Sequence, residues 1–191
     1  GLMAEICDAV HHAHQKGVVH RDLKPANILV ESDDGVPQPK ILDFGVARAT
    51  HSDLQQVTMH TEVGQIIGTL SYMSPEQVAG GPDELDVRSD VYALGVILFE
   101  LLADRLPYNL RGHSIHEAGS IIREQEPSRL SSVHSVFRGD VETIVAKALE
   151  KEKERRYQSA AEMAEDIRRF LRDEPIVARP PSRLYEWQKT V

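Results

Sequence analysis

Residues 87–102 are apolar on nearly every side of a helical wheel, and from 91 to 103 only Glu100 breaks the run. A helix with no polar face cannot lie on a surface, so the rest of the chain must wrap around it. It is too short to cross a bilayer, which needs about 20 apolar residues, and no membrane segment is expected elsewhere in the chain. With 191 residues there is enough chain to surround one such helix with a single core.

The flanking pattern is mainly helical. Leu2, Ile6, Ala9, Val10 and Ala13 predict a helix over residues 2–16, stopped by Gly17. Ile115, Ala118, Ile121 and Ile122 predict another over 114–125. A third covers 141–149 with Asp140 placed to cap it, and a fourth runs from a Ser159/Glu162 capping box to about Leu171. Residues 28–30 and 40–42 read as short strands joined by a turn-rich loop. Residues 46–80 show no sustained periodicity, which in a compact domain marks a functional segment. The expected organisation is one domain over 1–171 and a linker over 172–191, rich in proline.

Composition narrows the function classes. Thirty acidic against 22 basic residues give a net charge of -8, which argues against a general nucleic-acid binder. Cys7 is the only cysteine, so neither an intramolecular disulfide nor a cysteine metal site can form. In its apolar helical setting it reads as a small core residue rather than a nucleophile.

Two motifs carry the chemistry: His20-Arg21-Asp22-Leu23-Lys24-Pro25-Ala26-Asn27, and Asp43-Phe44-Gly45 after the second strand. Either alone is weak, since a single Asp or Asn before a strand is more often a turn or cap residue. Their order and hairpin-sized separation make the joint match specific. On them the chain resembles the C-terminal lobe of a eukaryotic-like, bacterial-type Ser/Thr protein kinase, over about residues 2–171. Residues 68–76 resemble that family's substrate-docking loop and its closing Ala-Pro-Glu, with Ser74 in place of Ala. Residues 90–95 resemble the start of its central helix.

The resemblance implies an α+β kinase fold, mainly α, comprising the large lobe with a short β-hairpin and without the N-terminal lobe. It implies ATP-dependent phosphorylation of Ser/Thr side chains on protein substrates, with ATP and Mg²⁺ (or Mn²⁺) as cofactors. Asp22 would be the catalytic base, Lys24 would neutralise the γ-phosphate, and Asn27 and Asp43 would hold the metal. Leu29 would floor the adenine site, and Thr69 would bridge base and lysine. Lys24 and Thr69 together point to Ser/Thr specificity. His20 and Phe44 are expected as packing residues, Asp90 as a clamp on the catalytic loop, and Glu76 and Arg156 as an ion pair. Arg21 and Arg48 would receive a phosphate on Thr58 or Thr61. Because the Gly-rich loop and strand lysine of the other lobe precede no motif here, the chain alone is expected to be nearly inactive and to need that lobe in cis. The resemblance also implies a cytoplasmic kinase domain in a full-length protein anchored in the bacterial inner membrane. The alternative is a non-catalytic scaffold or pseudokinase. Retention of Asp22, Lys24, Asn27 and Asp43 favours the enzyme.

Overall fold

The computed structural model describes residues 1–33, 36–44, 63–80 and 85–179. Eight α-helices and one two-stranded sheet are found among them. At the centre lies α4 (Val87–Ala103), which buries every residue from Ser89 to Phe99. Its N-terminus is capped by Asp86, whose side chain accepts from the Arg88 N–H, and it ends at Asp104 in the left-handed conformation. Burying each large apolar side chain contributes about 1.5–3 kcal/mol before entropy is counted, which is why so apolar a helix ends up inside.

Helix α1 (Leu2–Gln15) lies against α4 and against α8 (Ala160–Leu171). It buries Met3, Ile6, Cys7 and Val10, with Ala9 and Ala13 only half-covered, so its buried face is rotated slightly from the one the periodicity suggests. Cys7 is fully buried, and burial pushes its thiol far above the usual range. Helix α7 (Asp140–Ala148) packs on α4 at Gly95. A Cβ at Gly95 would lie 2.7 Å from the Ala148 Cβ and 3.3 Å from the Ala148 carbonyl carbon, so the two helices approach at backbone contact distance.

The strands β1 (Ile28–Asp33) and β2 (Val36–Ile41) are longer than the sequence suggests, pairing antiparallel from Ile28↔Ile41 to Asp33↔Val36. Pro37 and Pro39 sit inside β2. Proline is tolerated there because β2 is an edge strand, with the missing N–H groups on the side away from the partner.

Four other expectations need correction. The segment expected to be irregular contains α2 (Val63–Leu70) and α3 (Pro75–Ala79). Asp140 does not cap α7. The cap position is Gly139, and Asp140 is the first helical residue, its carboxylate 3.0 Å from Arg179. In α8 the Ser159 side chain accepts from the Glu162 N–H, but Glu162 reaches the Gln158 N–H instead of closing the box. The tail expected to leave the domain at Asp173 stays on it as far as Arg179. Ile176 is buried, and the buried Asp166 carboxylate accepts from the Val177 and Ala178 N–H groups at 2.6 and 2.8 Å. The remaining helices are α5 (Ile115–Glu124), with a complete Ser114/Glu117 capping box, and the short α6 (Leu130–Val133). Among the described residues no helix is long and apolar enough to cross a membrane.

Candidate active site

The loop from α1 to β1 is held from below by the first turn of α4. Asp90 is 1% exposed. Its Oδ2 accepts from the His20 N–H at 2.8 Å and its Oδ1 from the Arg21 N–H at 2.9 Å. A carboxylate at a helix N-terminus is favoured by the helix dipole, and the two N–H bonds satisfy it where water cannot. His14, which the sequence did not single out, places Nε2 2.7 Å from the same Oδ2. The constraint is needed because Arg21 has φ 68, a left-handed conformation that costs a bulky residue free energy.

Past Arg21 the expected catalytic residues meet in one cluster. Lys24 Nζ donates to Asp22 Oδ2 at 2.9 Å, Asp22 Oδ1 at 3.2 Å and Thr69 Oγ1 at 3.3 Å. Asn27 Nδ2 donates to the Asp22 carbonyl at 2.8 Å and to Asp22 Oδ2 at 3.3 Å. Asn27 is buried in a single 3₁₀ turn, Pro25–Asn27, whose proline at the first position pre-sets the backbone. Asp22 and Lys24 remain partly open to solvent.

The second motif lies beside the first. The Leu42 N–H donates to the Asn27 carbonyl at 2.9 Å, so Asp43 follows one residue beyond the Asn27 backbone. The His20 ring donates from Nε2 to the Leu42 carbonyl at 2.8 Å and packs against Phe44, with centroids 5.0 Å apart. Asp43 has φ 57 and an exposed carboxylate with no hydrogen-bond partner among the described residues. The Asn27 amide uses its N–H₂ on Asp22, which leaves Oδ1 as an acceptor. One carboxylate and one amide oxygen, both hard donors, suit a magnesium ion that keeps most of its waters. Leu29 and its strand neighbour Val30 project from opposite faces of β1, and both are 45% exposed.

Behind the cluster, Glu76 and Arg156 form the predicted-by-resemblance pair. The guanidinium donates to Glu76 Oε1 at 2.6 Å and Oε2 at 2.7 Å, and Ser89 Oγ adds a bond to Oε1 at 2.9 Å. Its remaining donors reach the carbonyls of Glu150, Lys151 and Arg88, and its carbon lies 5.1 Å from the Tyr92 ring centroid. Burial alone would push the Glu76 carboxyl up. The Arg156 guanidinium and the Ser89 hydroxyl outweigh it, so Glu76 is held below the usual carboxylate range. Nearby, burial pulls the Lys151 ammonium down to about 8.

Arg48, Thr58 and Thr61 lie outside the described residues. Arg21 lies within them, and its buried Nε has no hydrogen-bond partner there. The sequence reading missed two residues, His14 and Gln77. His14 is one of several histidines in α1, with nothing local to mark it. Gln77 had a signal: it stands three residues after Ser74, the spacing of a capping box.

Comparison with known proteins identifies the family. The family described as "Protein kinase domain" matches residues 1–167. Serine/threonine-protein kinase PknB of Mycobacterium tuberculosis is 41% identical over 175 residues, covering 91% of this chain and 26% of that protein. Serine/threonine-protein kinase Pkn1 of Myxococcus xanthus is 41% identical over 161 residues, covering 84% of this chain and 22% of that protein. The chain thus spans about a quarter of the length of the curated relatives it matches. Among solved structures, the kinase domain of Mycobacterium tuberculosis PknI shares the fold with a TM-score of 0.60 at 24% identity, over 87% of this chain and 53% of that one. With the Asp22 cluster, the Asp90 clamp and the Glu76–Arg156 pair on one fold, and a family match across most of its length, the chain belongs to the protein kinase domain family.

Proposed function

We propose that this chain carries the catalytic half of a serine/threonine protein kinase, which transfers the γ-phosphoryl group of ATP to Ser or Thr hydroxyls on protein substrates. The observation that carries the reading is the Asp22–Lys24–Thr69–Asn27 cluster. Phosphoryl transfer asks a protein mainly for positioning and charge neutralisation. The Asp22 carboxylate is open enough to accept a hydrogen bond from an incoming hydroxyl and to take its proton. Lys24, already beside it, would set its ammonium against the transferring phosphoryl oxygens. Thr69 holds Lys24 from the side of the expected docking segment. Asn27 and Asp43 would hold a divalent ion, which supplies charge neutralisation on the phosphate oxygens when bound. Leu29 offers an apolar surface suited to one face of a nucleobase.

The same geometry supports weak nucleotide binding by the chain alone, since Leu29 and Asp43 lie open to solvent. Phosphate on Thr58 or Thr61, received by Arg21 and Arg48, is the regulation we attach to this reading. A cytoplasmic domain in a membrane-anchored protein is its cellular setting.

The test is phosphate transfer to a protein substrate by the intact gene product, with phosphoamino-acid analysis. Asp22→Asn should lower the rate by about 10²–10⁴-fold, the usual contribution of a positioned base. A full rate in Asp22→Asn, or phosphotyrosine as the main product, would overturn the assignment.

A further inference from the structure

The peptide unit that joins Arg21 to Asp22 aims the proposed base, and both of its polar atoms are held. Its N–H, on Asp22, donates to His20 Nδ1 at 3.3 Å. Its carbonyl, on Arg21, accepts from Gln77 Nε2 at 2.6 Å. The orientation of the Gln77 amide is fixed independently. Oε1 accepts from the Ser74 N–H at 3.0 Å and from the Ser74 hydroxyl at 3.1 Å, so the nitrogen must be the atom that faces Arg21. The Gln77 N–H in turn donates to Ser74 Oγ, which completes the capping box of α3.

One side chain therefore does two separable things. Its oxygen shapes the start of α3, and its nitrogen reaches 56 residues back to the catalytic loop. Most of the α3 cap is local and would form with any Glu or Gln at this position. The bond to Arg21 is not local, and only an amide can make it while also accepting from Ser74. Its target is the carbonyl of a residue at φ 68, where the backbone needs outside restraint to stay in place.

We infer that Gln77 is a positioning residue for phosphoryl transfer, locking the Arg21–Asp22 peptide plane to the expected substrate-docking segment through its Nε2–H···O bond. This rests on the reading of residues 20–27 as a catalytic loop, but the restraint itself can be tested without activity. Ser74 contributes separately: its hydroxyl caps α3, while its backbone N–H, which an alanine would keep, holds the Gln77 oxygen and so orients the amide.

Amide hydrogen exchange on the full chain separates the two roles. Gln77→Glu keeps an oxygen for Ser74 and loses the donor. It should leave the protection of α3 and the melting temperature near the starting values, while the Asp22 amide exchanges about tenfold faster, the range expected for one lost hydrogen bond. Ser74→Ala should do the reverse, loosening α3 with little change at Asp22. Gln77→Met should show both effects; if it does not fold, the first two variants still decide. In a phosphorylation assay of the intact gene product, Gln77→Glu should lower kcat about tenfold with little change in KM for ATP, as expected when orientation rather than binding is lost. Unchanged exchange at Asp22 in Gln77→Glu, or equal acceleration there in Ser74→Ala, would overturn the inference. A parent protein with no transfer activity would count against the kinase reading, while the exchange result would still decide the restraint.

Discussion

The rear and the front of the candidate site are built on opposite terms. At the rear, Asp90, Glu76 and Arg156 are buried, and their polar atoms are matched by several partners drawn from distant parts of the chain. At the front, Leu29 and Val30 lie open on a two-stranded sheet that alone would be marginally stable, and Asp43 lies open just beyond it. The rear fixes geometry in advance, because a buried charge tolerates only the arrangement that satisfies it. The front keeps its oxygens and apolar surface available, as a site that receives a ligand must. In the proposed function, the chain thus separates the groups that hold a shape from the groups that would meet a substrate.

The largest break in this contrast should come from Arg156→Met. It strands the Glu76 carboxylate and removes donors from three carbonyls, which should cost about 3–5 kcal/mol in urea unfolding, or prevent folding. The acid limb of stability should change with it. The Glu76 carboxyl is lowered in the folded state, so its contribution is fully present above the ordinary carboxylate range and lost as pH falls through the lowered value. Arg156→Met should flatten that limb, and an unaltered acid profile would show that the rear is not organised by this pair. A smaller effect is expected from Gly95→Ala, whose new methyl meets the Ala148 backbone. About 1–3 kcal/mol of overpacking should appear as a lower thermal midpoint. The smallest comes from the front: Leu29→Ala should change stability by no more than about 0.5 kcal/mol while weakening nucleotide binding by calorimetry. A stability loss comparable to that at Gly95 would erase the distinction between the two regions.

The legible parts of the sequence were those with a local cause. The apolar run around residue 95 announced the central helix, and the two motifs marked the loops beside the hairpin. Other features depend on partners far away in sequence. Nothing near Glu76 indicates Arg156, 80 residues on, and only the family pattern suggested the pair. Helix α2 was hidden because Gly64, Gly68 and Thr69 interrupt its apolar spacing. Asp140 looked like a cap by residue type, but Gly139, with φ 128, takes the turn that a cap residue normally makes. Ser74 looked like a neutral replacement for alanine, because its value appears only once its hydroxyl is seen in the capping box with Gln77.

The contact at Gly95 has a consequence for how such a protein would be read by mutation. Gly95 touches no expected substrate and carries no charge, yet the spacing of α4 from α7 depends on its having no side chain. Asp90 is five residues away, about 7–8 Å along the helix axis. A wedge at 95 would therefore tilt the clamp on the catalytic loop before it opened the core. In a screen scored only on turnover, this glycine would be indistinguishable from a member of the active site, and only a parallel measurement of folding would return it to the scaffold.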